Sequence, residues 1–182
     1  MNCSQNQNLL KRFSGVFTLF LFGFSVFFII SCSKNSEQMK EEKLKEDKAK
    51  VEKALTEFSE KLAVTNIDSS SSYGILKEYI EKNNFVYGAA FAVQNEDEIG
   101  NVSGYCTYVY LKEGRPIMKV LPSYRTQEWF TAPVNSKSGV WSKPYFDTEG
   151  GEANMITYSI PIYSKDSTAK LIGVVTSDLK LD

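Results

Sequence analysis

Between Trp129 and Asp178 the chain concentrates side chains able to hold a small polar molecule. Trp129-Phe130 is followed by Val140-Trp141-Ser142-Lys143-Pro144-Tyr145-Phe146-Asp147, then by Met155-Ile156-Thr157-Tyr158-Ser159-Ile160-Pro161-Ile162, and finally by Ile172-Gly173-Val174-Val175-Thr176-Ser177-Asp178-Leu179. Trp and Tyr rings supply flat apolar walls with electron-rich faces, Tyr adds a hydroxyl, and a carboxylate can grip an ammonium group. Trp129, Phe130, Trp141, Tyr145, Asp147 and Asp178 are therefore candidate ligand contacts. Asp178 follows the apolar run Leu171-Ile172-Gly173-Val174-Val175, and a charge at the end of a buried strand needs a partner. A ligand cation is one candidate for that partner. Read one at a time, Trp129, Trp141, Tyr145 and Tyr158 serve equally well as core aromatics, and Pro144 and Pro161 as strand-edge markers.

These blocks, in this order, resemble a Cache domain, the PAS-like extracytoplasmic sensor of bacterial chemoreceptors and sensor kinases. The resemblance runs from about Lys40 to the end of the chain and is nearest to the membrane-distal module of double-Cache sensors. It implies roles for particular residues. In the amino-acid sensors of that family, an Arg two residues before an aromatic pair takes the ligand carboxylate. A Tyr-x-Asp segment and a late Asp receive the ammonium group. Trp129, Phe130, Tyr145, Asp147 and Asp178 match or nearly match those positions, although Phe130 lacks the usual hydroxyl. The Arg position holds Gln127, and Arg125 lies two residues further upstream. The resemblance thus implies an amine or amino-acid-like ligand, with Arg125 and Gln127 competing for any carboxylate.

The elements that must position these residues are legible in outline. From Gln38 to Lys53 the chain is dominated by Lys and Glu, with pairs such as Glu42/Lys45 and Glu46/Lys50 that support a solvated helix. Val51, Ala54, Leu55, Phe58 and Leu62 then recur at helical spacing and form one apolar stripe, so this helix docks by its C-terminal half. A second helix carries Ile75, Leu76, Tyr79 and Ile80, with Ser72 as its expected cap. Strands are expected over Phe85–Val93, Val102–Leu111, Pro116–Leu121, Met155–Tyr163 and Lys170–Leu179. Glu96-Asp97-Glu98 and Lys112-Glu113-Gly114-Arg115 supply turns. The expectation is an α+β domain: a long N-terminal helix packed on a PAS-like antiparallel sheet of about five strands, with helices on one face. The long segment Pro122–Ala153 is read as a ligand-pocket loop.

At the N-terminus, Lys11-Arg12 precedes an apolar run from Val16 to Ile30 that leads into Ser31-Cys32. That is the plan of a secretory signal. Ile29-Ile30-Ser31-Cys32 also resembles a relaxed lipobox, which implies an acylated Cys32 at the mature N-terminus. The run is shorter than the roughly 20 residues a spanning helix needs, although an uncleaved anchor is the alternative. The expected organisation is a lipoprotein signal at 1–31, a charged tether and stalk helix at 32–50, and one Cache domain at 51–182. The expected place is the cell envelope, lipid-anchored, on the periplasmic or extracellular side. After the signal no apolar run is long enough to cross a bilayer, and four residues follow Asp178. Signalling is therefore expected to pass through a sensor or receptor protein partner.

Composition narrows the function further. A net charge of −1 gives no electrostatic case for nucleic acid. Histidine is absent from the sequence, which removes the commonest general base and metal ligand. No cofactor or metal is expected, and no intrachain disulfide, since Cys3 leaves with the signal and Cys106 remains alone. A carboxylate-based hydrolase built on Asp147, Glu149 and Glu152 is a rival, but Glu149-Gly150-Gly151-Glu152 reads more simply as a solvated loop. No nucleophile-elbow, Ser-x-x-Lys or phosphate-cradling pattern occurs. A structural or adhesion lipoprotein with a vestigial pocket is the second rival. The sequence reading is a non-enzymatic binding module for a small-molecule ligand.

Overall fold

The computed structural model describes the backbone of residues 14–65, 67–96, 101–148 and 150–181, and side chains from residue 36 onward, Glu96 excepted. The signal segment and Cys32 lie outside the described side chains, and Asp97 and Glu98 outside the described residues. Among the described residues no helix is long and apolar enough to cross a membrane. The chain divides into two compact units, Met1–Glu46 and Asp47–Asp182, and helix α1 (Ser14–Leu62) contributes to both. In the first unit the side chains of residues 36–43 are exposed. The second unit carries the sheet.

In that unit the apolar stripe of α1 is buried: Val51, Leu55, Phe58 and Leu62 have exposures of 0, 0, 8 and 2%. Each such side chain contributes about 1.5–3 kcal/mol of burial. Helix α2 (Ser69–Lys82) presents Leu76, Tyr79 and Ile80 to the same core, and Phe58 stacks on Tyr79 with ring centroids 4.3 Å apart. The cap of α2 is Asp68, whose carboxylate accepts the Ser71 N–H, and not Ser72. Ser72 lies inside the helix and bonds the Thr107 hydroxyl at 2.7 Å. The earlier polar residue wins because its oxygen reaches an orphan N–H of the first turn.

The strands are β1 (Gly88–Val93), β2 (Asn95–Glu96), β3 (Val102–Ser103), β4 (Cys106–Lys112), β5 (Arg115–Val120), β6 (Val140–Trp141), β7 (Tyr145–Phe146), β8 (Asn154–Tyr163) and β9 (Leu171–Lys180). Seven form one antiparallel sheet in the order β5-β4-β1-β9-β8-β6, with β7 also paired to β8, while β2 and β3 form a separate ribbon. Glu113 and Gly114, both at positive φ, make the two-residue turn of the β4–β5 hairpin. The α+β class and the PAS-like antiparallel sheet are as expected.

Two further expectations need correction. Pro122–Ala153 is no structureless loop. It holds a 3-10 turn at Tyr124–Thr126, helix α3 (Glu128–Ser136), β6 and β7. Nor do the helices share one face. Register places Phe91, Val109, Val175 and Ser177 on the α1/α2 face, and Ala90, Tyr108, Val174 and Asp178 on the other. There Phe130 of α3 and Tyr124 close a second core with Ala90, Ala92, Tyr108 and Val174. Strand β1 is buried at every position, as a strand covered on both sides must be.

Candidate functional site

The α3 face of the sheet carries polar side chains from β4, β9 and β8, namely Tyr108, Asp178 and Thr157, with β1 between β4 and β9. Thr157 and Gly88 both pair with Asp178, one from each neighbouring strand. Asp178 is 3% exposed. Its partners come from the chain itself: the Tyr108 hydroxyl donates to Oδ2 at 2.9 Å and the Thr157 hydroxyl to Oδ1 at 2.7 Å. Thr157 has one hydrogen to give, so the Tyr145 hydroxyl, 2.8 Å away, donates to Thr157. Tyr145 comes within reach because β7 pairs with β8, setting it opposite Met155. Burial pushes the Asp178 carboxyl up to about 7 against the pull of its two hydroxyl donors, and Asp147 adds to the rise. Burial, and then the charge of Asp178, raise the Tyr108 and Tyr145 hydroxyls above their ordinary values.

Asp147, just past β7, organises the turn that follows. Its carboxylate oxygens accept the N–H groups of Gly150 at 3.0 Å and Gly151 at 2.7 Å. The turn is held from the far side by the Tyr87 hydroxyl on the Gly151 carbonyl at 2.6 Å and by Lys119 Nζ on the Gly150 carbonyl at 2.7 Å. Gly150 and Gly151 are thus buried, whereas Glu152 keeps the solvated character expected of this segment; it lies 3.6 Å from Lys119.

Beside this turn a cleft of about 180 Å³ opens between α3 and β7, and Gln127, Trp129, Tyr145 and Asp147 line it together with Tyr124 and Thr148. Four of the residues singled out from sequence therefore converge. The others lie elsewhere. Phe130 is buried in the second core with its ring edge-on to Tyr124. Asp178 lies behind Tyr145 and Thr157. Arg125 is half-buried, its guanidinium 4.8 Å from the centroid of the Tyr124 ring; its Nε and Nη2 have no hydrogen-bond partner among the described residues. Trp141 sits on β6 at the sheet edge, where its Nε1 donates to Glu52 of α1 at 2.7 Å and Lys48 covers its ring at 4.8 Å. With Trp129 it lines only a void of about 20 Å³.

Sequence reading passed over Tyr87, Tyr108, Thr157 and the Gly150–Gly151 pair. Thr157 lies within the Met155–Ile162 block. Tyr108 carried one signal: it alternates with Cys106 and Tyr110 on a strand expected to have a buried face.

Chemically, the described lining of the cleft can bind and orient: it supplies rings, a carboxylate, an amide and hydroxyls. The fold is similar to that of the extracellular domain of a proposed histidine kinase, soHK1S-Z6, at 24% identity, a TM-score of 0.58, and coverage of 70% of this chain and 51% of that one. It is also similar to the ligand-binding domain of the Campylobacter jejuni chemoreceptor Tlp3 in complex with L-norvaline, at 20% identity, a TM-score of 0.53, and coverage of 70% and 49%. The chain spans about half the length of these solved structures. Among curated proteins no match was found. The family described as methyl-accepting chemotaxis protein-like, first PDC sensor domain, matches residues 72–182, more than half of the chain. The chain belongs to that family, and so to the Cache type of sensor domain that its residue blocks resemble.

Proposed function

We propose that this chain is an extracytoplasmic module that binds a small polar ligand, an amine or amino-acid-like molecule, and passes its state to a sensor or receptor partner. The convergence of Gln127, Trp129, Tyr145 and Asp147 on one cleft carries the reading. The Trp129 and Tyr145 rings enclose an apolar or cationic group, and the Asp147 carboxylate supplies negative charge beside it. Gln127, standing at the Arg position, offers an amide where a carboxylate would otherwise meet a cation. Membership in a family of sensor domains supports binding without turnover.

The test is thermal melting of the full chain against amines, amino acids including L-norvaline, organic acids and divalent metals. At least one amine or amino acid should raise the midpoint, and Trp129→Ala should weaken that compound by a ring–cation increment of about 1–2 kcal/mol. A response confined to metals, or no response across the panel, overturns the reading. Attachment to the membrane through an acylated Cys32 belongs to the same proposal and rests on the Ile29-Ile30-Ser31-Cys32 junction. Two acyl chains make a stable anchor. Fatty-acid labelling should disappear in Cys32→Ala; labelling that persists sinks the anchor.

A further inference from the structure

We propose that Tyr108 sets the depth of the site: its hydroxyl occupies the position on Asp178 that a ligand cation would otherwise take, so the ligand is held by the outer cleft and never touches Asp178. The inference rests on the ligand-binding reading above and specifies where in the site binding occurs.

Tyr108 at 2.9 Å and Thr157 at 2.7 Å each donate to one carboxylate oxygen of Asp178; the Asp147 oxygens likewise accept from Gly150 and Gly151, so what separates the two acids is that Asp178 is 3% exposed and Asp147 lines the cleft. Neither side of the Tyr108–Asp178 pair has room for another group. A methyl on Gly88 would collide with the Tyr108 hydroxyl oxygen and stand 2.9 Å from Asp178 Oδ2. On the turn side, a methyl on Gly150 would stand 2.8 Å from Tyr108 Cε1, and one on Gly151 3.0 Å from its hydroxyl oxygen. Glycine at these three positions lets backbone close directly on the Tyr108 ring. The turn is fixed rather than draped, because Asp147, Tyr87 and Lys119 each hold it by hydrogen bonds.

Asp178 is also a poor ammonium anchor as it stands. Burial pushes its carboxyl up to about 7, so in the empty protein it carries only part of a charge at neutral pH. The open cleft stops at Tyr145 and Asp147. Its volume is about 180 Å³. That suits a compact ligand whose positive end meets Asp147. Tyr108 is then the specificity-determining residue that excludes ligands long enough to reach Asp178.

The experiment reads the Asp178 carboxyl carbon by NMR in the full chain, with benzylammonium chloride as probe and p-cresol as its neutral counterpart. In the wild type neither probe should move the Asp178 signal. Tyr108→Ala should open a ring-sized cavity in which benzylammonium shifts the Asp178 signal. In Tyr108→Ala, Asp178→Asn the affinity for benzylammonium should fall at least about tenfold, with p-cresol unchanged within about twofold. A benzylammonium-dependent shift at Asp178 in the wild type overturns the proposal. So does Tyr108→Ala that folds and leaves Asp178 untouched by the probe. If Tyr108→Ala does not fold, Tyr108→Phe keeps the ring and removes the donor. Its Asp178 midpoint should then rise, because a donor to the carboxylate is lost; a midpoint unchanged from the wild type shows that the hydroxyl does not occupy Asp178 and overturns the proposal. Failure of the ligand-binding reading is seen separately, as an unresponsive melting panel, and does not alter what is measured at Asp178.

Discussion

At Asp178 the physical chemistry of a single carboxyl sets a testable pH dependence. Its folded value of about 7 stands above the 3.8 of an unburied carboxyl, because burial penalises the charge more than Thr157 and Tyr108 relieve it. A carboxyl raised on folding binds more protons in the native than in the unfolded chain. Its contribution is therefore fully present below about pH 4 and is lost as pH rises toward 7 and beyond. The expected outcome is a wild type whose stability falls across that window by at most about 4 kcal/mol, relative to Asp178→Asn, which lacks the titration. Parallel stability profiles for the two proteins between pH 4 and 8 would show that Asp178 does not titrate there. Asp178→Ala should destabilise the fold, since it leaves the Tyr108 and Thr157 hydroxyls buried without their acceptor. A fully stable Asp178→Ala, by equilibrium denaturation, contradicts the network.

Among the elements, β6 does work that its two residues conceal. Trp141 stands at the sheet edge between α3 and α1, and its Nε1–Glu52 bond and the Lys48–ring contact fasten α1 across that edge. Trp141→Phe and Glu52→Ala should each lower stability, and together by less than their sum. The coupling expected is about 0.5–1.5 kcal/mol in a double-mutant cycle; additive effects would make the contact incidental. The same element shows what sequence can and cannot reveal. Trp141 was legible as a significant aromatic, but not its side of the sheet, because two-residue strands have no periodicity to read. The long strands were legible through length and β-branched content, and the docking stripe of α1 through its helical spacing. α3 was hidden by Pro133 and by brevity. The second layer it forms was nonetheless written in β1. Gly88-Ala89-Ala90-Phe91-Ala92-Val93 has no polar alternation, and such a strand requires cover on both faces. For the site, the cleft residues were legible as types, while the closure of Gly150–Gly151 on Tyr108 depends on contacts between distant strands that no local pattern encodes.

For the molecule as a whole, the position of the unit boundary decides how much of the charged helix the domain needs. The second compact unit begins at Asp47, ahead of the apolar stripe at Val51 that the sequence marks as the start of docking. The difference comes from polar contacts: Lys48 over the Trp141 ring and Glu52 on its Nε1 belong to the folded unit although neither is apolar. A fragment from Asp47 to Asp182 retains these contacts and the whole buried stripe. It should unfold cooperatively, within about 3 °C of the chain that begins at Glu37, because the side chains of residues 37–43 are exposed. A fragment from Lys53 loses Val51, which has no exposed surface, and both Trp141 contacts. Val51 accounts for about 1.5–3 kcal/mol, and the polar contacts add about 1 kcal/mol. Its midpoint should therefore fall by roughly 8 °C or more. Equal melting of the two fragments in calorimetry would show that α1 contributes from Leu55 onward alone, and that the Trp141 contact leaves the domain's stability unchanged.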